Sequence, residues 1–187
     1  MLKNQKAFTI VELLVTIAVF GVVLALAIPS YNQSVLNSRS VTIAEDFADA
    51  LKYARAEAMK SSLPITLCPL DEKTVDDDTD DVCGEDWSKG WLAVRDTAAG
   101  VADNPVVANE NAILRRWPKT KTNFIYSFTP ERTYIRFASL GVLSRDKGTD
   151  NAVVKIYLDK CKGDSARTIT VSLSGMTRVE RTNCSTL

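Results

Sequence analysis

The sequence predicts an α+β protein in which one long N-terminal helix packs on a C-terminal antiparallel β-sheet domain. Three observations carry that expectation. Residues 8–29 are almost continuously apolar. Residues 36–58 repeat apolar positions at helical spacing. Beyond Pro64 the pattern changes to short β-type runs broken by turn residues.

The first run, FTIVELLVTIAVFGVVLALAIP from Phe8 to Pro29, carries Thr9, Thr16 and one carboxylate, Glu12. Its length, roughly 20 residues, suits a helix that crosses the hydrocarbon core of a bilayer. Lys3 and Lys6 precede it, giving the basic start of an export signal or an oriented membrane anchor. Glu12 is the anomaly. A carboxylate near the centre of such a helix costs about 2.5–3.5 kcal/mol, which makes it a candidate functional residue. The plainer alternative is an anchor whose Glu12 snorkels to the interface. Gly21 weakens a helix interior by about 1 kcal/mol and Pro29 removes a backbone hydrogen bond, so both are candidate weak points.

The helical pattern continues past Pro29. Leu36, Ile43, Phe47, Leu51, Ala54 and Ala58 recur at steps of three, four or seven, with Arg39, Asp46, Asp49, Lys52 and Glu57 between them. Such an amphipathic stripe is expected to pack on the domain. A single helix from Phe8 to Lys60 would be about 80 Å long; a break at Pro29 would make the second half a separate surface helix. Ser61-Ser62-Leu63-Pro64 is a stop signal. Strands are expected near Ile65–Cys68, Gly90–Arg95, Ile113–Trp117, Phe124–Phe128, Tyr134–Ala138, Val153–Leu158, Thr168–Leu173 and Arg178–Thr182.

Composition excludes several function classes. The 187 residues suit one modest globular domain plus an anchor. Histidine is absent, which removes His-based acid/base chemistry and His metal ligands. Neither a nucleophile–base pair nor a phosphate loop is visible, so an enzyme is not expected, and no cofactor is implied. Cys68, Cys83, Cys161 and Cys184, in a chain with an export signal, read as two disulfides. Of the three connectivities, the local one (Cys68–Cys83, Cys161–Cys184) is the expectation; the spacing is too wide for a paired CxxC metal site.

Two charge features stand out. Residues 71–81 carry seven acids against Lys73, but a calcium-loop pattern fails at Asp81 and Trp87, where Gly and a bidentate Glu belong. A solvated acidic loop is the expectation, with no metal. From Arg115 to Arg181 fourteen bases face six acids, an excess suited to sequence-independent DNA contact.

The leader with Lys3 and Lys6, then Ala7 and Phe8-Thr9-Ile10-Val11-Glu12-Leu13, resembles the class III signal of type IV pilins and type II secretion pseudopilins. The resemblance implies that a prepilin peptidase cuts between Ala7 and Phe8 and methylates the new Phe8 amine. It also implies that Glu12 meets the terminal amine of a neighbouring subunit. One departure is Ala7, where the family usually has Gly. Further on, Phe47, Leu51, Ala54-Arg55, Leu67-Cys68-Pro69, Cys83, Trp87, Gly90-Trp91, Phe137, Gly141, Cys161 and Ser174-Gly175 resemble the GspH/FimT/FimU group of minor pilins, nearest its FimU members.

That likeness implies a pilin-like fold divided into a cleaved leader (1–7), a transmembrane and assembly half-helix (8–29), an amphipathic half (30–62) and a disulfide-bonded β-domain (63–187). It implies single-pass residence in the inner membrane with the β-domain in the periplasm, then a place at the pilus tip. Partners would be other minor pilins and the major pilin. DNA-binding members carry a Gly-Arg-x-Arg element, whereas this chain has Gly175-Met176-Thr177-Arg178, leaving Arg178 and Arg181 as candidate DNA contacts. A pseudopilin of type II secretion shares the same features.

Overall fold

Thr9 opens the first element and Ser62 closes it. The Thr9 side chain accepts a hydrogen bond from the Glu12 amide at 3.2 Å, satisfying one of the orphan donors of a helix N-terminus. Helix α1 then runs Ile10–Ser61 without interruption. Ser62 takes a left-handed φ of 54°, and Pro64 follows as a residue that cannot continue the helix. The computed structural model describes residues 9–71, 83–98, 104–107, 110–119, 124–145, 150–159 and 161–184, with backbone only at 26–30, 32 and 110. It divides into two units, Met1–Arg39 and Ser40–Leu187.

In the first unit α1 continues through Pro29, so the expected alternative of two helices broken there is not what forms. Leu36, assigned by its spacing to the packed stripe, is 38% exposed. The buried stripe begins at Ser40, where the second unit begins, and runs through Ala44, Phe47, Leu51 and Ala54 to Ala58.

The second unit holds eight strands among the described residues: β1 Ile65–Pro69, β2 Gly90–Arg95, β3 Ile113–Pro118, β4 Phe124–Thr129, β5 Ile135–Phe137, β6 Ala152–Leu158, β7 Ala166–Val171 and β8 Thr177–Thr182. They form two four-stranded sheets, ordered β3-β2-β1-β5 and β4-β6-β7-β8. All pairings are antiparallel. The expected strands lie within a residue or two of these bounds. β5 is shorter because Ala138 enters a turn, accepting from the Gly141 amide at 2.7 Å. β7 stops at Val171 because Ser172 donates to the Met176 carbonyl and begins the turn into β8.

Both sheets meet α1 in one core, to which α1 contributes the small side chains of alanines 44, 48, 50, 54 and 58 around Phe47 and Leu51. Phe47 sits at the centre. Its ring lies 5.1 Å from Trp91 on β2, 5.4 Å from Trp87, and 5.8 Å and 6.4 Å from Tyr126 and Phe128 on β4. Edge-on contacts of this kind suit the aromatic quadrupole. Trp87 belongs to a short 3-10 turn, Trp87–Lys89, which Asp86 caps by accepting from the Ser88 amide. Hydrogen bonding to Ser88 holds the Asp86 carboxyl below its usual range.

In the first sheet β1, β5 and nearly all of β2 are buried on both faces, while the edge strand β3 stays partly exposed, and strand alternation divides the buried residues between two cores. Ile65, Leu67, Trp91 and Ala93 face the helix core. Cys68, Leu92, Val94 and Tyr134 form a second one with Val107 and Ala112. Thr66, Asp96 and Arg136 share the second face. Asp96 accepts from Thr66 at 2.7 Å and from Arg136 through both Nε and Nη2 at 2.7 Å. Its other oxygen accepts from the Ala98 and Val106 amides at 2.9 and 3.0 Å. Disulfide Cys68–Cys83 fastens the same face, while Cys161–Cys184 joins the segment after β6 to the end of β8.

Candidate functional site

The surface that asks for a partner is the first part of α1. Every large apolar side chain from Ile10 to Leu24 is more than half exposed, on all sides of the helix. Water does not tolerate so continuous an apolar surface, which marks an interaction or membrane surface. The two threonines in it satisfy their own needs. Thr9 accepts from Glu12, and Thr16 donates to the Leu13 carbonyl at 2.7 Å.

Glu12 is different. Its carboxylate has no ion-pair partner among the described residues, although its place in the first turn suits the positive end of the helix dipole. The Thr9-x-x-Glu12 spacing is that of a capping box, a signal for helix initiation readable in the sequence. A carboxylate so placed can accept from an incoming cation or amine but has nothing of its own to react with. Ala7 and Phe8 lie outside the described residues. Gly21 sits in open surroundings, since an added Cβ would touch nothing within 4 Å.

Among the described residues no helix is long and apolar enough to cross a membrane. Residues 26–30, part of the expected span, are described by backbone only. Also among the described residues, no group of three or more acidic or cysteine side chains is arranged to hold a metal. Most of the acidic loop, residues 72–82, lies outside them.

The basic excess is dispersed. Arg132, Arg136 and Arg167 are buried. Arg136 neutralises Asp96, and burial, with Arg181 adding repulsion, lowers the Arg167 pKa. Arg115 stacks on Trp117 at 4.8 Å and on Tyr53 at 5.5 Å. Arg178 and Arg181 lie three positions apart on β8, so they project from opposite faces. Arg178 pairs with Glu180 at 2.8 Å, and Arg181 donates to the Asp164 carbonyl at 2.8 Å. The two are not brought together into one site.

Sequence reasoning missed the role of Arg55. Its Nε donates to the Gly141 carbonyl at 3.0 Å and its Nη2 to the Ser174 carbonyl at 3.1 Å, clamping two turns to the helix. No local pattern announces a contact across 86 and 119 residues.

Comparison with known proteins adds three findings. The family model described as type II transport protein GspH matches residues 44–175, and the prokaryotic N-terminal methylation motif matches residues 2–28. Type IV major fimbrial protein FimA of Dichelobacter nodosus is 38% identical over 56 residues, 30% of this chain and 34% of that protein. The chain thus spans about a third of the length of the curated relatives it matches. Two crystal forms of type IV minor pilin FimU from Pseudomonas aeruginosa share the fold. One has a TM-score of 0.56 at 21% identity, covering 76% of this chain and 89% of that one. The other has a TM-score of 0.53 at 22% identity, covering 74% and 90%.

Proposed function

The chain belongs to the GspH family of type II transport proteins, and from that premise we propose that it is a minor pilin at the tip of a type IV pilus, priming assembly with other minor pilins. One observation carries the reading: an apolar helix surface, exposed all round from Ile10 to Leu24, with the carboxylate of Glu12, without an ion-pair partner among the described residues, in its first turn. Lipid covers that surface before assembly, and the helices of sibling pilins cover it afterwards. In this account the helix crosses the inner membrane once with the β-domain in the periplasm. A prepilin peptidase cuts between Ala7 and Phe8 and methylates the Phe8 amine, and Glu12 pairs with that amine on a neighbour. A charge pair stripped of water is favourable only if both members are present, so Glu12 sets the axial register. Gly21 and Pro29 let the helix bend as it packs. The structural neighbours are themselves described as type IV minor pilins, which favours the minor role.

Glu12→Ala tests this. The variant should remain in the membrane at normal level while pilus number falls to background by electron microscopy; normal piliation would refute the assignment. Intact mass of the mature protein should show loss of residues 1–7, one methyl group and four thiol hydrogens.

A second reading, a minor pseudopilin of type II secretion, is favoured by the description of the matching family. Co-purification from membranes separates the two through the siblings recovered. DNA binding is the remaining alternative. It requires that the protein retard DNA in a salt-sensitive way and that charge reversal at Arg178 and Arg181 abolish the shift. With the pair on opposite faces of β8, the reversal is expected to leave DNA mobility unchanged.

A further inference from the structure

We propose that the surface around Arg55 docks a different filament subunit, one that presents apolar side chains around a single carboxylate. The inference deepens the assembly reading above and rests on it. Three segments meet at this surface. Met59 follows Arg55 by one turn of α1, Leu140 and Val142 flank Gly141 in the turn after β5, and Met176 follows Gly175 in the turn between β7 and β8.

These segments are held in place before any partner arrives. Arg55 clamps both turns through the Gly141 and Ser174 carbonyls. Gly141 and Gly175 take φ of 71° and 79°. A Cβ on Gly141 would come within 2.6 Å of Met59 Cγ, and one on Gly175 would overlap the Gly141 carbonyl. A surface so preorganised loses little freedom on binding.

It is also apolar beyond the ordinary. Leu140 is 80% exposed, Met176 64%, Met59 48% and Val142 40%. These are four of the eight exposed large apolar side chains among the described residues of the second unit. Clustered apolar exposure marks an interaction surface, and methionine adapts to the shape of what covers it.

The charge of Arg55 selects the occupant. Both its acceptors are carbonyls, and no carboxylate pairs with it among the described residues. Covering a guanidinium with apolar side chains leaves its charge uncompensated at high cost, so the covering surface must bring an acid. A second copy meeting this surface about a twofold axis would set Arg55 against Arg55. A different subunit with one acid in an apolar strip meets both demands.

The test uses the full-length protein expressed with its sibling subunits, carrying a benzophenone amino acid at Leu140, Met176, Ile17 or Arg116. Ile17 reports assembly, and Arg116 is an exposed control on β3, at the opposite edge of the first sheet from β5. Leu140 and Met176 should each couple to one and the same sibling subunit, at peptides that contain a carboxylate, while Arg116 couples to none. Leu140→Asp should cut the yield from Met176 at least tenfold and more than Leu140→Asn does, because the new acid occupies Arg55 and repels the partner's. The urea midpoint should stay unchanged in both. Coupling at Ile17 with silence at Leu140 and Met176, or coupling there to lipid or to a second copy of this chain, overturns the docking surface and leaves the assembly reading standing. Equal loss with Asp and Asn overturns the carboxylate requirement. Silence at Ile17 overturns the assembly reading and this inference with it.

Discussion

Phe47→Ala lowers the stability of the second unit by about 3–5 kcal/mol, the range for removing a large buried aromatic side chain. The site cannot collapse to fill the void. The ring is fully buried and touches aromatic groups from β2, β4 and the Trp87 turn, so both sheets border the space it leaves. The change should appear as a lower urea midpoint with an unchanged slope. Phe47→Leu should cost less, because most of the volume returns. A loss below about 1 kcal/mol for the alanine variant would mean that the helix does not key the two sheets together as described.

Asp96→Ala is expected to cost a comparable amount, about 3–5 kcal/mol, for a different reason. The carboxylate is enclosed and satisfies Arg136, Thr66 and two backbone amides at once. Removing it takes away the carboxylate that the buried guanidinium of Arg136 pairs with, a group that also donates to Thr66 at 3.4 Å and lies over the Tyr134 ring at 5.0 Å. The double variant Asp96→Leu/Arg136→Met should recover part of the loss, since replacing a buried pair with apolar groups is often close to neutral. What remains would belong to the Ala98 and Val106 amides, which lose their acceptor. If the double variant were no more stable than Asp96→Ala, the cost would lie in the amides and not in the stranded charge.

These two residues stood differently in the sequence. Phe47 lies on a repeating apolar stripe, and its burial follows from spacing. Asp96 and Arg136 carry no local signal. Arg136 even counted among the bases available to DNA, whereas the fold places it beside Asp96 across β1 and β2, with Thr66 as its direct strand neighbour. Thr9 and Glu12 were legible as polar residues in an apolar run, but only the structure shows the Thr9 side chain capping the helix and the Glu12 carboxylate without an ion pair among the described residues. Leu36 shows the limit of periodicity. Its spacing continues the stripe, yet the packed unit begins at Ser40 and leaves it exposed.

The sequence by itself determined the elements: a long helix greasy in its first half and striped in its second, a stop at residues 61–64, and eight short strands. It could do so because apolar periodicity and turn chemistry act between residues a few positions apart. Only the tertiary structure decided the division into two sheets, the burial of three arginines, the scattering of Arg178 and Arg181 to opposite faces, and the clamp that Arg55 makes on two distant turns. Those outcomes depend on which strands pair and which charges meet after the chain has closed over long separations, and that information is spread over the whole core.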